Sequence, residues 1–486
     1  MALKIFNYLT REKEPFEPLQ EGHVGLYACG PTVYDHAHLG HAKTYVALDV
    51  IVRYLRYLDY DVRYVQNITD VGHLLDSGED RILRKARLER VEPMEVAETY
   101  TRSYFEDMDA LGVTRPDISP RASGHIPEQI EVVKTLLEKG YAYTTEEGDV
   151  YYSVEQLNDY GKLSGRKIEN LEAGARVEVR EEKRHPADFA LWKHAAPEHI
   201  LRWPSPWGWG YPGWHLECTA MATRYLGDTF DIHGGGIDNM FPHNDCEIAQ
   251  SEAATGKPFA RYWVLTGSLT VDGVKMSKSL GNFVTIKEAL DHYSPEAIRF
   301  FVLSSHYRKP VDFSQEAMVS AERGVERLHN TVRTLRQRME ETRSADTGEL
   351  TEFASLVPYS EQFHEAMDDD FNAPQAIAAL FELNRSVNDL LNSGERLSGG
   401  ILAAIDDIYR QLGGRVLGII PDDLTEGVSG ELVEELMDIV LEIREQYRDD
   451  KNWREADALR QRLAELGIVV DDRPEGTTWR LQRGAT

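Results

Sequence analysis

Residues 24–69 read VGLYACGPTVYDHAHLGHAKTYVALDVIVRYLRYLDYDVRYVQNIT, and this stretch decides the fold. VGLYACG has the pattern of a buried strand running into a Gly/Pro turn. HLGHAKTYVALDVIVRYLRYL carries apolar residues at helical spacing, and DVRYVQNIT reads as a second strand. Strand, turn, helix and strand in that order make a βαβ unit, which predicts an α/β protein with a parallel, doubly wound sheet.

Downstream the alternation stops. Residues 140–206 hold short strand candidates such as DVYYSV among many charges, and read as an insertion. Alternation resumes at HLECTAMATRYLGDTFDIHGGG and continues to RYWVLTGSL. The sheet domain is therefore expected in two halves, 1–139 and 207–265, around the insertion. After Asn282 the pattern is helical. We expect a loop-bearing region over 266–314 and a helical bundle over 315–425. PDDLTEGVSG reads as a linker into a small module over 426–486, with two helices and a short tail.

The chain has 486 residues, enough for about three domains. Its 42% hydrophobic and 28% charged residues suit a large globular core. Three cysteines exclude a disulfide-built secreted scaffold. No apolar run is long enough to cross a bilayer, and the first residues lack the apolar segment of a signal peptide. A cytoplasmic protein with no membrane partner is expected. The 82 acidic residues outnumber 54 basic ones, giving a net charge of −28, and arginine (38) far exceeds lysine (16). Scarce lysine with a surplus of acid predicts adaptation to a salt-rich cytoplasm. Bulk charge of this sign does not announce nucleic-acid binding.

Three constellations carry chemistry. His38, Leu39, Gly40 and His41 lie where strand gives way to helix, and the free N–H groups of a helix start suit phosphate. Histidines three positions apart share a face and can donate to phosphoryl oxygens. VDGVKMSKSLGN places Lys275 and Lys278 on a polar loop, where two lysines can neutralise a triphosphate. Each motif alone is compatible with ordinary solvated side chains; together, in this order on a split βαβ frame, they resemble the paired signature of the class I aminoacyl-tRNA synthetases. The third constellation is Cys29, Cys218, His243 and Glu247. Thiolates, an imidazole and a carboxylate suit Zn²⁺, and His243 and Glu247 stand one helical turn apart. The ligands come from separate segments, so spacing alone leaves open a metal site or two buried free thiols.

LYACGPTVYDHAHLGH, NITD, PADFALWK, GWHLECTAM, FDIHGGGIDNMFPHNDCEIAQSEA and VKMSKSLGNFVT closely resemble the cysteinyl-tRNA synthetases over residues 3–314. MDDDFNAPQAIAALFELNR is similar, more weakly, to that family's anticodon-binding bundle. The resemblance implies a class I Rossmann-type catalytic domain and attachment of L-cysteine to tRNA(Cys) through a cysteinyl-adenylate made from Mg²⁺-ATP. It implies one zinc ion per subunit, held by Cys29, Cys218, His243 and Glu247, which takes the substrate thiol as thiolate. Serine keeps its hydroxyl proton and is refused, and the sequence holds no large extra domain for editing. His38, His41, Lys275 and Lys278 are implied to stabilise phosphate charge. Gly40, Gly235, Gly236, Asp238 and Lys278 fall in the ATP site, and Thr69, Trp214 and His233 lie near the amino acid. Trp214 also fits simple core packing. The family's HHENE reads HNDCE here, so Cys246 stands as a rival ligand to Glu247. Arg444, Arg448, Lys451, Trp453, Arg454, Arg460, Arg462 and Trp479 are candidates for RNA contact, or for a solvated helix with Trp453 packed inside. At molar salt, where the Debye length is about 3 Å, such contacts would rest on stacking and hydrogen bonds. A monomer is expected by family analogy. The rival readings are a cysteine–amino-sugar ligase of the mycothiol type, a non-catalytic relative and, more weakly, a methionine-type class I enzyme.

Overall fold

A computed structural model describes residues 2–73, 79–167, 183–276, 281–342, 355–393, 397–424, 430–465, 468–473 and 476–481. The chain forms two compact units, 1–422 and 423–486.

The first unit starts with a hairpin of β1 (Lys4–Asn7) and β2 (Glu12–Pro15). β3 (His23–Ala28) runs into α1 (Leu39–Tyr57), which returns to β4 (Asp61–Gln66). Val24, Leu26, Tyr27 and Ala28 are buried along β3, the consecutive run from Leu26 to Ala28 covering both faces, as a strand packed on both sides requires. α2 (Arg81–Glu89), α3 (Pro93–Ala110) and α4 (Ile126–Glu138) follow. Next come β5 (Ala142–Thr144), β6 (Val150–Tyr152), β7 (Phe189–His194), β8 (Trp203–Ser205) and β9 (Gly208–Pro212). They make an antiparallel sheet of order β5-β6-β7-β9-β8. α5 (Trp214–Leu226), β10 (Phe230–Gly236), α6 (Asp245–Thr255) and β11 (Ala260–Thr266) restore the α/β alternation. β11-β10-β3-β4 is one sheet, parallel throughout. The βαβ reading of residues 24–69 and the split sheet are both present.

The insertion ends later than expected. β9 pairs with both β7 and β8, so the inserted sheet runs to Pro212 rather than 206. Glycine is what permits this: a Cβ on Gly210 would stand 2.2 Å from the Trp192 indole nitrogen.

β12 (Leu269–Val271), β13 (Val274–Lys275) and β14 (Val311–Phe313) form a small sheet. Between them lie α7 (Ile286–Leu290) and α8 (Pro295–Leu303). α9 (Gln315–Glu341), α10 (Val357–Asp368), α11 (Ala373–Asn392) and α12 (Gly399–Ile408) build the helical part. A buried ion pair ties it to the sheet domain. Arg299 of α8 donates to Asp49 of α1 at 2.8 Å and to the Leu417 carbonyl at 2.8 Å. Burial works against the Asp49 charge, but Arg299 and Arg53 hold the carboxyl below its usual range. Removing one partner of a buried pair strands the other. Arg299→Ala is expected to lower stability by about 3–5 kcal/mol, read as an earlier urea midpoint in tryptophan fluorescence. An unshifted midpoint would contradict this.

In the second unit α13 (Gly430–Asp449) and α14 (Trp453–Glu465) are the two expected helices. The expected tail is instead a hairpin of β15 (Ile468–Arg473) and β16 (Gly476–Leu481). Trp479 packs against a small core of Met437, Leu463 and Val470, and Arg444 is buried. These two are therefore part of the unit's interior, whereas Trp453 is 57% exposed rather than packed inside. Among the described residues no helix is long and apolar enough to cross a membrane.

Candidate active site and metal centre

The site lies at the carboxyl ends of β3, β4 and β10, where an open parallel sheet places its crevice. Gly30, just past β3, admits the β4 end: its amide donates to Asn67 Oδ1 at 2.7 Å, and a Cβ there would fall 1.6 Å from the Asn67 carbonyl oxygen.

His38 caps α1. Its Nδ1 accepts from the Gly40 amide at 3.0 Å, and His41 Nδ1 accepts from the His38 amide at 3.1 Å. This is a capping box with histidine in both roles. Because both Nδ1 atoms accept, each neutral ring carries its proton on Nε2 and offers an N–H donor. The rings lie 3.9 Å apart by centroid. Gly40 is required there, since a Cβ would meet the His38 ring at 2.7 Å. Burial pushes His38 down to about 4 and His41 well below its usual range. Unfolding lets His38 regain its ordinary affinity for protons, so this group adds stability above about pH 6.5, lost as pH falls toward 4. His38→Gln should therefore show a shallower stability loss than the parent over that window in urea titrations; equal slopes would contradict the assignment.

Cys29, Cys218, His243 and Glu247 meet, with one ligand atom of each within 4.8 Å of the others. Cys29 follows β3, Cys218 sits on α5, Glu247 on α6, and His243 in the turn leading into α6. Cys218 Sγ is 3.4 Å from His243 Nε2, Cys29 Sγ is 3.5 Å from Glu247 Oε1, and His243 Nε2 is 2.9 Å from that same oxygen. All four are buried. His233 Nε2 holds Glu247 Oε2 at 2.6 Å, Asn244 donates to Oε1 at 3.0 Å, and His215 Nδ1 faces His243 Nδ1 at 2.9 Å. Burial opposes ionisation of Glu247, but His233 and His243 keep it well below the usual carboxylate range. The Cys29 thiol is lowered by its bond with Cys218, yet burial and Glu247 outweigh that and push it up to about 11. Two soft sulfurs, an imidazole and a carboxylate, converging at a buried point and supported from behind, fit a tetrahedral zinc. Cys246 turns away: its Sγ lies 3.4 Å from the Tyr160 hydroxyl, in the core between α6 and the inserted sheet.

A cavity of about 340 Å³ rises from Cys29, Cys218 and His243. Thr69 and Trp214 line it. Thr69 Oγ1 donates to Glu217 Oε1 at 2.5 Å, and Trp214 stacks on His73 at 3.8 Å. Its far side is Gly236, Ile237, Asp238 and Thr266, with His38, Gly40, His41 and Lys275 along the rim. Lys275 Nζ lies 3.2 Å from Asp238. Lys278 is outside the described residues. Two expected pocket residues do not line the cavity. His233 is fully buried behind Glu247 and stacks on Trp263, and a side chain at Gly235 would point at Cys29. Alternation along β10 turns both away from the opening. The sequence reading missed Thr32, His73 and Glu217, which line the cavity. The one signal for Glu217 is its position directly before Cys218.

Residues 15–323 match the family model of the class I (C) tRNA synthetase catalytic domain. Residues 362–421 match the DALR domain, and 433–480 the cysteinyl-tRNA ligase anticodon binding domain. Cysteine–tRNA ligase of Chlorobium chlorochromatii is 52% identical, covering 99% of both chains. The chain belongs to the class I cysteine–tRNA ligase family. A ligase of Thermus thermophilus is 51% identical over 99% of this chain and all of that one, and that of Thermococcus onnurineus 47% over 99% of each. Mycobacterium tuberculosis methionyl-tRNA synthetase in complex with methionyl-adenylate shares the fold, with TM-score 0.61 and 15% identity over 85% of this chain and 93% of that chain. The amino-sugar ligase, non-catalytic and methionine-type readings are not favoured by these full-length relatives. Salt adaptation is not borne out. Asp49, Asp370 and Asp406 are buried and each accepts from an arginine.

Proposed function

We propose that the protein activates L-cysteine with Mg²⁺-ATP, releasing pyrophosphate, and transfers the cysteinyl group to the 3′ end of tRNA(Cys). The observation that carries this reading is the buried Cys29, Cys218, His243 and Glu247 set at the floor of a cavity rimmed by two Nε2 donors and Lys275. These four residues would hold Zn²⁺, which when bound supplies a Lewis acid that favours a thiolate over a hydroxyl. His233, Asn244 and His215 fix the ligands' orientation. Thr69 and Trp214 position the amino acid. Gly236 and Asp238 face adenine and ribose, with Gly40 giving room for the phosphates. The cysteine carboxylate attacks the α-phosphate, and His38 and His41 donate Nε2–H bonds to the phosphoryl oxygens as charge builds. Lys275 and Lys278 neutralise the departing pyrophosphate. No protein nucleophile is needed. A ribose hydroxyl of the tRNA then attacks the adenylate carbonyl, and AMP leaves. Residues 315–425 and 426–486 would engage the tRNA, and the chain acts as a monomer in the cytoplasm.

Attachment of labelled cysteine to tRNA, with serine and methionine in parallel, tests the reading. Base-labile cysteinyl-tRNA without serine or methionine supports it. Activation of cysteine with no transfer would contradict it.

A further inference from the structure

Residues 304–310 connect α8 to β14 and hold one wall of the cavity. The Gly267 amide donates to the Tyr307 carbonyl at 2.8 Å, and the Val311 amide to the Ser268 carbonyl at 3.0 Å. A Cβ on Gly267 would stand 2.3 Å from the Lys309 carbonyl oxygen, so the two backbones are in direct contact. Gly267, Ser268 and Leu269 line the cavity. The connector then enters β14, which pairs with β12. Asp312 of β14 accepts from the Thr270 hydroxyl at 2.6 Å and from the Gly273 amide at 2.7 Å. Those bonds fix the β12–β13 hairpin that carries Lys275.

The helical part grips this connector from its other side. Asp368, Asp369 and Asp370 lead from the end of α10 toward α11. Asp368 accepts from the Tyr54 hydroxyl of α1 at 2.8 Å, and Asp369 from Lys13 of β2 at 2.6 Å. Asp370 is fully buried. Its Oδ1 accepts from the Tyr307 hydroxyl at 2.7 Å and the Phe6 amide at 2.9 Å, and its Oδ2 from Arg308 Nε at 2.7 Å. A buried carboxylate with a guanidinium partner makes strong, directional bonds. The backbone of Asp370 is left-handed at φ 66°, and Phe371 follows at 52°. Two successive side chains in that region persist only where the surroundings hold them, and such turns gather at functional sites.

We infer that Asp370 is a positioning residue for the ATP side of the cavity: by holding Tyr307 and Arg308 it sets the wall at residues 267–269 and the hairpin that carries Lys275. The helical part is then a working component of cysteine activation, beyond any contact it makes with RNA. The inference rests on the reading that this cavity activates cysteine with ATP. The zinc set comes from other segments, so its geometry is independent of Asp370.

The test is cysteine-dependent pyrophosphate exchange by the full-length chain, with ATP and cysteine varied separately and zinc content measured alongside. Asp370→Ala should lower kcat/KM for ATP by about 10²-fold, the scale on which a small misplacement is felt. KM for cysteine and zinc content should stay at parent values. Asp370→Asn keeps an acceptor for Phe6 and Tyr307 and should recover part of the loss. Tyr307→Phe deletes one hydroxyl and should reproduce part of it. Arg299→Ala loosens the helical part through Asp49 and Leu417 instead, and below its unfolding midpoint it should keep the parent KM for ATP. A loss shared equally by ATP and cysteine, or an ATP defect in Arg299→Ala as large as in Asp370→Ala, would overturn the inference. So would unchanged ATP kinetics in both Asp370→Asn and Tyr307→Phe, the pair that decides the matter if Asp370→Ala does not fold. A parent chain that binds ATP yet forms no cysteinyl-adenylate would contradict the proposed function instead, and the Kd for ATP in the same variants would then decide the role of Asp370.

Discussion

Cys218→Ala is expected to leave the purified chain without zinc and to abolish its preference for cysteine. Three ligands remain, but the sulfur 3.4 Å from His243 is gone, and a structural set of four seldom holds zinc with one thiolate missing. A pocket without metal discriminates thiol from hydroxyl by size and contacts alone, which is worth little. Cysteine activation should fall by about 10⁴-fold in kcat/KM, the scale on which a site built around one specific bond rejects ligands that cannot make it. Zinc content by mass spectrometry and pyrophosphate exchange with cysteine and serine check this. Retained zinc with undiminished selectivity would show that Cys246 or another group serves instead. The parallel variant Cys246→Ala should keep its zinc, because that thiol faces Tyr160.

His41→Asn should slow cysteine activation by about 10²–10³-fold while zinc content stays at the parent level. Asparagine can still accept the His38 amide and cap α1, but it cannot carry an N–H to where Nε2 now stands. The loss should appear in kcat for exchange rather than in KM for cysteine, since the donor is needed most when phosphate charge develops. An unchanged kcat would remove His41 from the reaction and leave it a cap.

The contrast between these two sites shows what a single sequence can carry. The helix start at HLGH is local: strand, turn and periodic helix are all written within 46 residues, from 24 to 69, and the fold follows. The histidine capping box was not legible, because the usual pattern has Ser or Thr followed by Glu, and here the imidazoles occupy both places. The metal set is non-local. Its ligands lie on three segments brought together only when β10 settles beside β3. Resemblance pointed to them where spacing could not. The choice between Cys246 and Glu247 turns on one residue of helix, about 100° of rotation, which aims one side chain at the metal set and the other into the core. His233 shows the converse limit: a strand residue was expected at the substrate, and alternation placed it behind a ligand. In the second unit, IVVDDRPEGTTWRL reads as a tail until its two arms pair across Asp472 and Thr477.

The most direct measurement is X-ray absorption at the zinc edge of the full-length chain, with and without L-cysteine. The account predicts two sulfur ligands at rest, from Cys29 and Cys218, and three when cysteine is added, with no such change on adding serine. Three sulfurs before any substrate, or a sulfur count that cysteine leaves unaltered, would contradict selection of the amino acid by its thiolate.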